Sequence, residues 1–213
     1  MAGRSMYIPP KFALSESDAR AALAHGGLAH LVSHTEDGLR VTPLPVVYDA
    51  DRHALLGHVA RANPHWRAEG AESVAIIPGP DAYISPAFYP TKGETGKVVP
   101  TWNYDVLAVH GRLIAHDDVD WVADLVGRLT VEHERGRDDP WQVADAPASF
   151  VAGQLRAIVG VELAITAVEG KSKMSQNQPE RNRDGVVAGL RRSPRPGDRA
   201  VADRVENTEG APR

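Results

Sequence analysis

Apolar and polar positions alternate with a period of two over several short stretches, the pattern of strands that bury one face. Leu28 to Ser33 and Val41 to Tyr48 are two such stretches, and Glu36-Asp37-Gly38 between them carries the Asp-Gly pair favoured in tight hairpin turns. Ala54 to Val59 follows the polar turn Asp49 to Arg52 as a third strand, and Ser73 to Ile77 forms a fourth that Pro78-Gly79-Pro80 should stop. A long strand spans Thr101 to His116. Later, Val159, Val161, Leu163 and Ile165 alternate with Gly160, Glu162, Ala164 and Thr166, which predicts a strand with one buried face.

Elsewhere the period is helical. Ser15 and Asp18 make a weakened capping box, and Ala19, Ala22 and Leu23 continue it up to Gly26-Gly27. Asn63-Pro64 is a helix start, Asn able to cap and Pro favoured at the first position. Asp117-Asp118 opens a helix with the apolar stripe Trp121, Val122, Leu125, Val126 and Leu129, which makes Trp121 a core residue. Another helix should begin at Pro179. After Ser193 no periodic apolar residues stand out, so 192–213 reads as a disordered tail. Strands joined by hairpins, without a repeated βαβ rhythm and without GxGxxG, give an α+β fold class.

Composition removes several chemistries. With 213 residues, 42% of them hydrophobic, the chain can bury one large core. It has no cysteine, which excludes disulfides, thiolate metal sites and Cys nucleophiles and agrees with a cytoplasmic location. The most apolar run, Ala157 to Val168, is too short for a bilayer and is interrupted by Glu162. Nine histidines include one close pair, His30 and His34, but strand spacing holds these too far apart to grip one ion, and no HExxH or GxSxG occurs. Gly93 to Lys97 lacks P-loop spacing, with Val98 where Ser or Thr is required. A net charge of -4 argues against coating nucleic acid by bulk charge. The one dense basic segment holds Arg181, Arg183, Arg191, Arg192, Arg195 and Arg199; it reads as a solvated helix face or as a DNA-facing patch.

The stretch Gly57 to Trp66, GHVARANPHW, places Arg61 between a strand and a capped helix start. A phosphate there would meet free N–H groups, the helix dipole and a guanidinium. The plainer reading is an ordinary strand-to-helix connection with Arg61 in water.

Five segments in order, MYIPPKF (Met6 to Phe12), GHVARANPHW, GPDAYISPAFY (Gly79 to Tyr89), VPTWNYDVLAVHG (Val99 to Gly111) and GKSKMSQNQ (Gly170 to Gln178), resemble the PaiB family of FMN-binding negative transcriptional regulators. The resemblance runs from Met6 to about Arg191 and leaves Met1 to Ser5 as an N-terminal extension. It implies a six-stranded antiparallel split β-barrel of the FMN-binding type with flanking helices over 6–191, FMN as cofactor, and a homodimer with the flavin in the cleft between subunits. By the same resemblance Arg61, Asn63 and Trp66 lie at the FMN phosphate, and Thr42, Pro43 and Leu44 belong to a strand whose backbone faces the flavin ring. Pro43 and Pro45 lack N–H groups, so that segment should be an edge or a bulge. Thr101, Trp102, Asn103 and Tyr104 match a second cofactor-binding motif, and Lys173, Ser175, Gln176 and Asn177 a third.

Each has a plainer rival. Trp102 and Tyr104 could pack a dimer interface, Trp66 a core, and the Ser-Gln-Asn run could cap the next helix. The resemblance implies negative regulation of transcription, yet no convincing helix-turn-helix is present, so DNA as a partner rests on the basic segment. The alternative is a flavin-dependent oxidoreductase, a reductase or haem-handling oxidase on the same barrel, with His58, His110 or Tyr104 as proton donor. A third reading is a binding module with a vestigial flavin site.

Overall fold

The computed structural model describes residues 6–208; the expected N-terminal extension, 1–5, and the last five residues of the expected tail lie outside the described residues. Six strands, β1 Gly27–Thr35, β2 Gly38–Asp49, β3 Ala54–Ala60, β4 Glu72–Ile84, β5 Thr101–His116 and β6 Ile158–Lys173, close into a barrel in the order β1-β2-β3-β6-β5-β4. Among the described residues six α-helices accompany them: α1 Glu16–Ala24, α2 Thr91–Thr95, α3 Val119–Glu134, α4 Ala148–Arg156, α5 Glu180–Arg191 and α6 Asp198–Asn207. This is the α+β class that the alternation implied and the six-stranded antiparallel barrel that the resemblance implied. Two compact units divide the chain, and each is described by itself. Unit 1 takes 6–17, 78–107 and 169–208, and unit 2 takes 18–77 and 108–168.

In unit 2 the β1–β2 hairpin turns with Thr35 opposite Gly38, whose φ of +104° suits glycine. β1 pairs with β2 from Gly38 to Val46, while the β2–β3 ladder begins only at Val47. Pro43 and Pro45 therefore lie where β2 is laddered to β1 alone, as two residues without N–H groups require. The barrel interior is packed by Leu31, Leu44, Val46, Leu55, Leu113 and Val161, with a void of about 10 Å³, so it is core and not a ligand chamber. Asp118 caps α3 by accepting from the N–H groups of Asp120 and Trp121, and Val122, Leu125 and Leu129 are buried as the stripe predicts. Trp121 packs beside the cluster of Val47, Ala54, Leu56, Leu125 and Leu129.

Four expectations need correction. β6 buries every residue from Val159 to Leu163, not one face only. The reason is α3: the Trp121 indole lies on Gly160, where a Cβ would overlap it. Glu162 is buried there because His116 Nε2 meets its Oε2 at 2.9 Å, with the His116 ring stacked on Trp121 at 3.9 Å. Second, β4 does not stop at Pro78-Gly79-Pro80 but runs on to Ile84. The two prolines are two residues apart, so only one side of the strand loses its donors. Third, Asn63 starts only a 3₁₀ turn, Pro64–Arg67, closed by the Ala68 N–H on the His65 carbonyl. A turn of four residues has almost no macrodipole.

The fourth correction concerns the tail. In unit 1, α6 buries Val201, Ala202 and Val205 against Ala82, Ile84, Met174, Val186 and Leu190. Apolar residues at i, i+1 and i+4 among charged ones form a narrow stripe, too sparse to stand out in the sequence. Arg183 of α5 donates to the carbonyls of Val205 and Thr208 and so closes the end of α6. No described helix is long and apolar enough to cross a membrane.

Candidate functional site

The expected site residues fall into two groups, one in each unit. In unit 2, Arg61 leaves β3 with all three guanidinium nitrogens engaged. Nη1 and Nη2 meet the Asp117 carboxylate at 2.9 and 2.5 Å, Nε donates to the Arg156 carbonyl at 2.8 Å, and Nη2 also reaches the Ile158 carbonyl at 3.2 Å. The hydrogen bond to Asp117 raises the pKa of Arg61 and lowers that of Asp117. Both side chains face solvent, so the attraction is screened. Arg61 thus joins the end of β3 to the start of β6 and is not a free cation. Trp66 donates from Nε1 to the Arg61 carbonyl at 3.1 Å, beneath the Arg67 guanidinium.

Asn63 and Thr42 are brought together. The Asn63 Oδ1 accepts the His65 N–H at 3.0 Å, and its Nδ2 donates to Thr42 Oγ1 at 3.1 Å. Thr42 and Leu44 turn into the barrel, whereas Pro43 is exposed. Sequence reading missed His65, which is fully buried. Its Nδ1 lies 2.8 Å from Thr42 Oγ1 and its Nε2 2.8 Å from Ser33 Oγ, and Ser33 continues to Ser73 at 2.6 Å. Burial first, and the Arg40 charge second, push the imidazole pKa down and so favour the neutral ring. The legible signal was Ser33, Thr42 and Ser73, polar residues in the buried register of three strands.

In unit 1, Thr101, Trp102, Asn103, Lys173, Ser175 and Gln176 are brought together. Asn103 Nδ2 donates to Ser175 Oγ at 2.9 Å, and Ser175 adopts φ +63°, a left-handed conformation costly for a residue with a Cβ. Gln176 closes the turn, accepting from the Met174 N–H and donating to the Ser172 carbonyl, each at 2.7 Å. Asn103, Ser175 and Gln176 thus hold the turn together and do not merely cap α5. Asn177 is exposed.

Lys173 differs from these. Its ammonium donates to Thr101 Oγ1 and to the Trp102 carbonyl, both neutral acceptors, and among the described residues no carboxylate pairs with it. Burial, then the neighbouring Lys171 charge, depresses its pKa. Beside it Trp102 is 45% exposed, edge-on to Tyr83 and under the Arg195 guanidinium. Tyr104 lies on the same side of β5 as Trp102, with Lys171 Nζ 5.3 Å from its ring.

Among the other candidates, His58 on β3 has its pKa lowered by burial, and His110 and Tyr104 lie on β5. No group of three or more metal-ligating side chains occurs among the described residues. Three of the six arginines of the basic segment are engaged within unit 1: Arg181 with Glu94, Arg183 with the end of α6, and Arg191 with Glu206 and Asp203. The exposed side of α6 carries Arg199, Asp203, Glu206 and Asn207, which is no basic recognition face.

Residues 6–167 match the family model described as "Putative FMN-binding domain". The chain belongs to this family. Its cofactor is FMN. An uncharacterised protein of Emericella nidulans is 34% identical over 64% of the chain, which spans 65% of that relative's length. The protease synthase and sporulation protein PAI 2 of Bacillus subtilis is 28% identical over 95% of the chain and 97% of its own. Among solved structures, the FAD and heme binding protein of Mycobacterium smegmatis shares the fold, with a TM-score of 0.59, 20% identity and coverage of 84% of this chain and 80% of that one.

Tested against FMN, the two groups differ. Lys173 lacks a counter-charge beside an exposed indole, which suits an anionic ligand with a planar ring. The Arg61 guanidinium already has its counter-charge.

Proposed function

We propose that this protein is an FMN-dependent oxidoreductase acting as a homodimer. The observation that carries this reading is Lys173, a desolvated ammonium with only neutral partners next to the exposed Trp102 ring. A fixed positive charge of this kind attracts an anionic group and, near the flavin pyrimidine, favours the reduced anionic form. FMN, when bound, supplies the acceptor and donor of electron pairs. The exposed Trp102 ring offers it an aromatic surface, and Lys173 offers charge. Asn63 is a proposed contact on the resemblance described above.

A homodimer is supported by an apolar sheet face in unit 2. Leu28, Leu39 and Val41 are 57%, 73% and 58% exposed, and the register sets Leu28 opposite Pro45 and Val41 opposite Val32 on one side of β1 and β2. A second copy of this chain would cover it. The location we propose is the cytoplasm.

The test is an FMN titration of the wild type and Lys173→Met, followed by addition of NADH or NADPH. We expect one FMN per subunit, bleaching of the bound flavin, and binding weakened about tenfold to a hundredfold in the variant. Unchanged affinity in Lys173→Met, or a flavin that neither nucleotide reduces, overturns the reading.

A second reading, negative regulation of transcription, draws on the alignment with the Bacillus subtilis protein, which extends over 95% of the chain and so past residue 167, where the family model ends. The pairing of Arg181, Arg183 and Arg191 supports an indirect form of it, without DNA contact by α5 or α6.

A further inference from the structure

The polar groups around His65 can be assigned a direction from both ends. At one end the His65 backbone N–H can only donate, so the Asn63 atom that receives it at 3.0 Å is the carbonyl oxygen, and the Asn63 NH₂ faces Thr42. Thr42 Oγ1 therefore accepts from Asn63 and has one proton to give. At the other end Ser73 donates to the Ala71 carbonyl at 3.2 Å, which can only accept. Ser73 must then accept from Ser33 across 2.6 Å, Ser33 has no proton left for the imidazole, and His65 Nε2 must itself be the donor to Ser33. A neutral ring protonated on Nε2 leaves a lone pair on Nδ1, which takes the Thr42 proton across 2.8 Å. A doubly protonated ring would strand the Thr42 proton and place a charge, with no carboxylate in the network, in a fully buried position. The charged neighbour is Arg40, which donates to the Pro64 carbonyl at 2.9 Å and also opposes a second positive charge.

We propose that His65 is a positioning residue: as the neutral Nε2–H tautomer it holds the Thr42 hydroxyl as an acceptor for Asn63, and so fixes the Asn63 amide with one N–H left for an acceptor oxygen of FMN. The order of hydrogen bonds, Asn63 to Thr42 to His65 to Ser33 to Ser73 to the Ala71 carbonyl, crosses β2, β1 and β4, so the amide is set by the barrel and not by the short turn that carries it. The spare donor is specific in kind. It accepts nothing from a ligand hydroxyl or ammonium and suits a phosphoryl or carbonyl oxygen. The proposal rests on the reading of FMN as ligand and of Asn63 as one of its contacts.

Two measurements keep the two apart. Nitrogen-15 NMR of the His65 ring in the wild-type protein, without FMN, should show Nε2 protonated and Nδ1 bare at neutral pH, with any titration displaced below that of a free imidazole. A ring protonated on Nδ1, or one that titrates as a free imidazole does, overturns the assignment whatever FMN does. FMN titration of Thr42→Ser, Thr42→Val and Asn63→Ala, each checked by circular dichroism, then tests the consequence. Thr42→Ser keeps the acceptor and should bind as the wild type, while Thr42→Val and Asn63→Ala should each lose about tenfold. Loss in Asn63→Ala with none in Thr42→Val overturns the positioning role and leaves the contact. Unchanged binding in Asn63→Ala, with the tautomer as assigned, overturns the contact itself. If Thr42→Val does not fold, a weakened Thr42→Ser overturns the proposal and the NMR result still decides the tautomer.

Discussion

Arg61 and Asp117, 56 residues apart in the chain, meet through two parallel hydrogen bonds of 2.9 and 2.5 Å. The same guanidinium also holds the Arg156 and Ile158 carbonyls, at the end of α4 and the start of β6. Arg61→Ala should therefore lower the thermal midpoint while changing FMN affinity less than about threefold. Calorimetry beside a flavin titration checks this. A tenfold weaker affinity at an unchanged midpoint would mean that Arg61 leaves Asp117 for the cofactor.

Asp49 gives the pH dependence a sign. Burial alone would raise its pKa, but the Arg52 N–H and the guanidinium groups of Arg128 and Arg52 outweigh this and hold it at about 2. A carboxylate depressed below its unfolded value near 3.9 stabilises the fold above that value, and the contribution fades as pH falls towards 2. Asp49→Asn should cost about 2 kcal/mol at neutral pH, the equivalent of that shift. Urea unfolding at several pH values should show the gap between variant and wild type closing between pH 4 and 2.

Gly189 of α5 lies flat against the Phe88 ring, and Gly185, one turn earlier, faces the Phe88 carbonyl. Gly to Ala in a helix ordinarily gains about 0.5–1 kcal/mol. Here the added methyl overlaps the ring, so Gly189→Ala should instead lose about 1–3 kcal/mol. A stabilised Gly189→Ala variant in chemical denaturation would show that Phe88 moves aside freely.

Sedimentation at micromolar concentration should find a dimer, and Val41→Asp, on the exposed sheet face, should shift it to monomer. A wild-type monomer with bound FMN contradicts the dimer.

Promoter DNA should show little binding at physiological salt. With Arg181, Arg183 and Arg191 paired internally, only Arg192, Arg195 and Arg199 of the basic segment face outward without an acidic partner. Fluorescence anisotropy across a salt series reads this directly. Tight binding that weakens steeply with salt would restore the direct regulator.

Local patterns made β1, β2, β3, β5 and α3 legible, because alternation, an Asp-Gly turn and an aspartate cap act within a few residues. The extent of β4 was not legible, since Pro78 and Pro80 are strand breakers only where both sides of a strand need donors. Nor was α6, whose Val201 and Val205 gain their stability from Met174 and Ile84 far away in sequence. Lys173, Trp102 and Asn63 were named from motifs, but the engagement of Arg61 and the role of His65 depend on Asp117, Ser33 and Thr42, partners that no motif places. A hydrogen-bond partner is a tertiary fact.

Unit 1 is assembled from three separated stretches, 6–17, 78–107 and 169–208, and α6 supplies part of a core cluster within it. During synthesis the middle stretch leaves the ribosome with Ala82 and Ile84 uncovered, and these stay so until α5 and α6 emerge about a hundred or more residues later, roughly 5–25 s at ordinary elongation rates. Residues 108–168 of unit 2 must also emerge during that wait, so the nascent chain must keep an apolar strand out of trouble while its cover is still being made. Premature termination before α5 would leave that strand permanently bare, and such fragments should aggregate or be degraded instead of accumulating as a smaller flavoprotein.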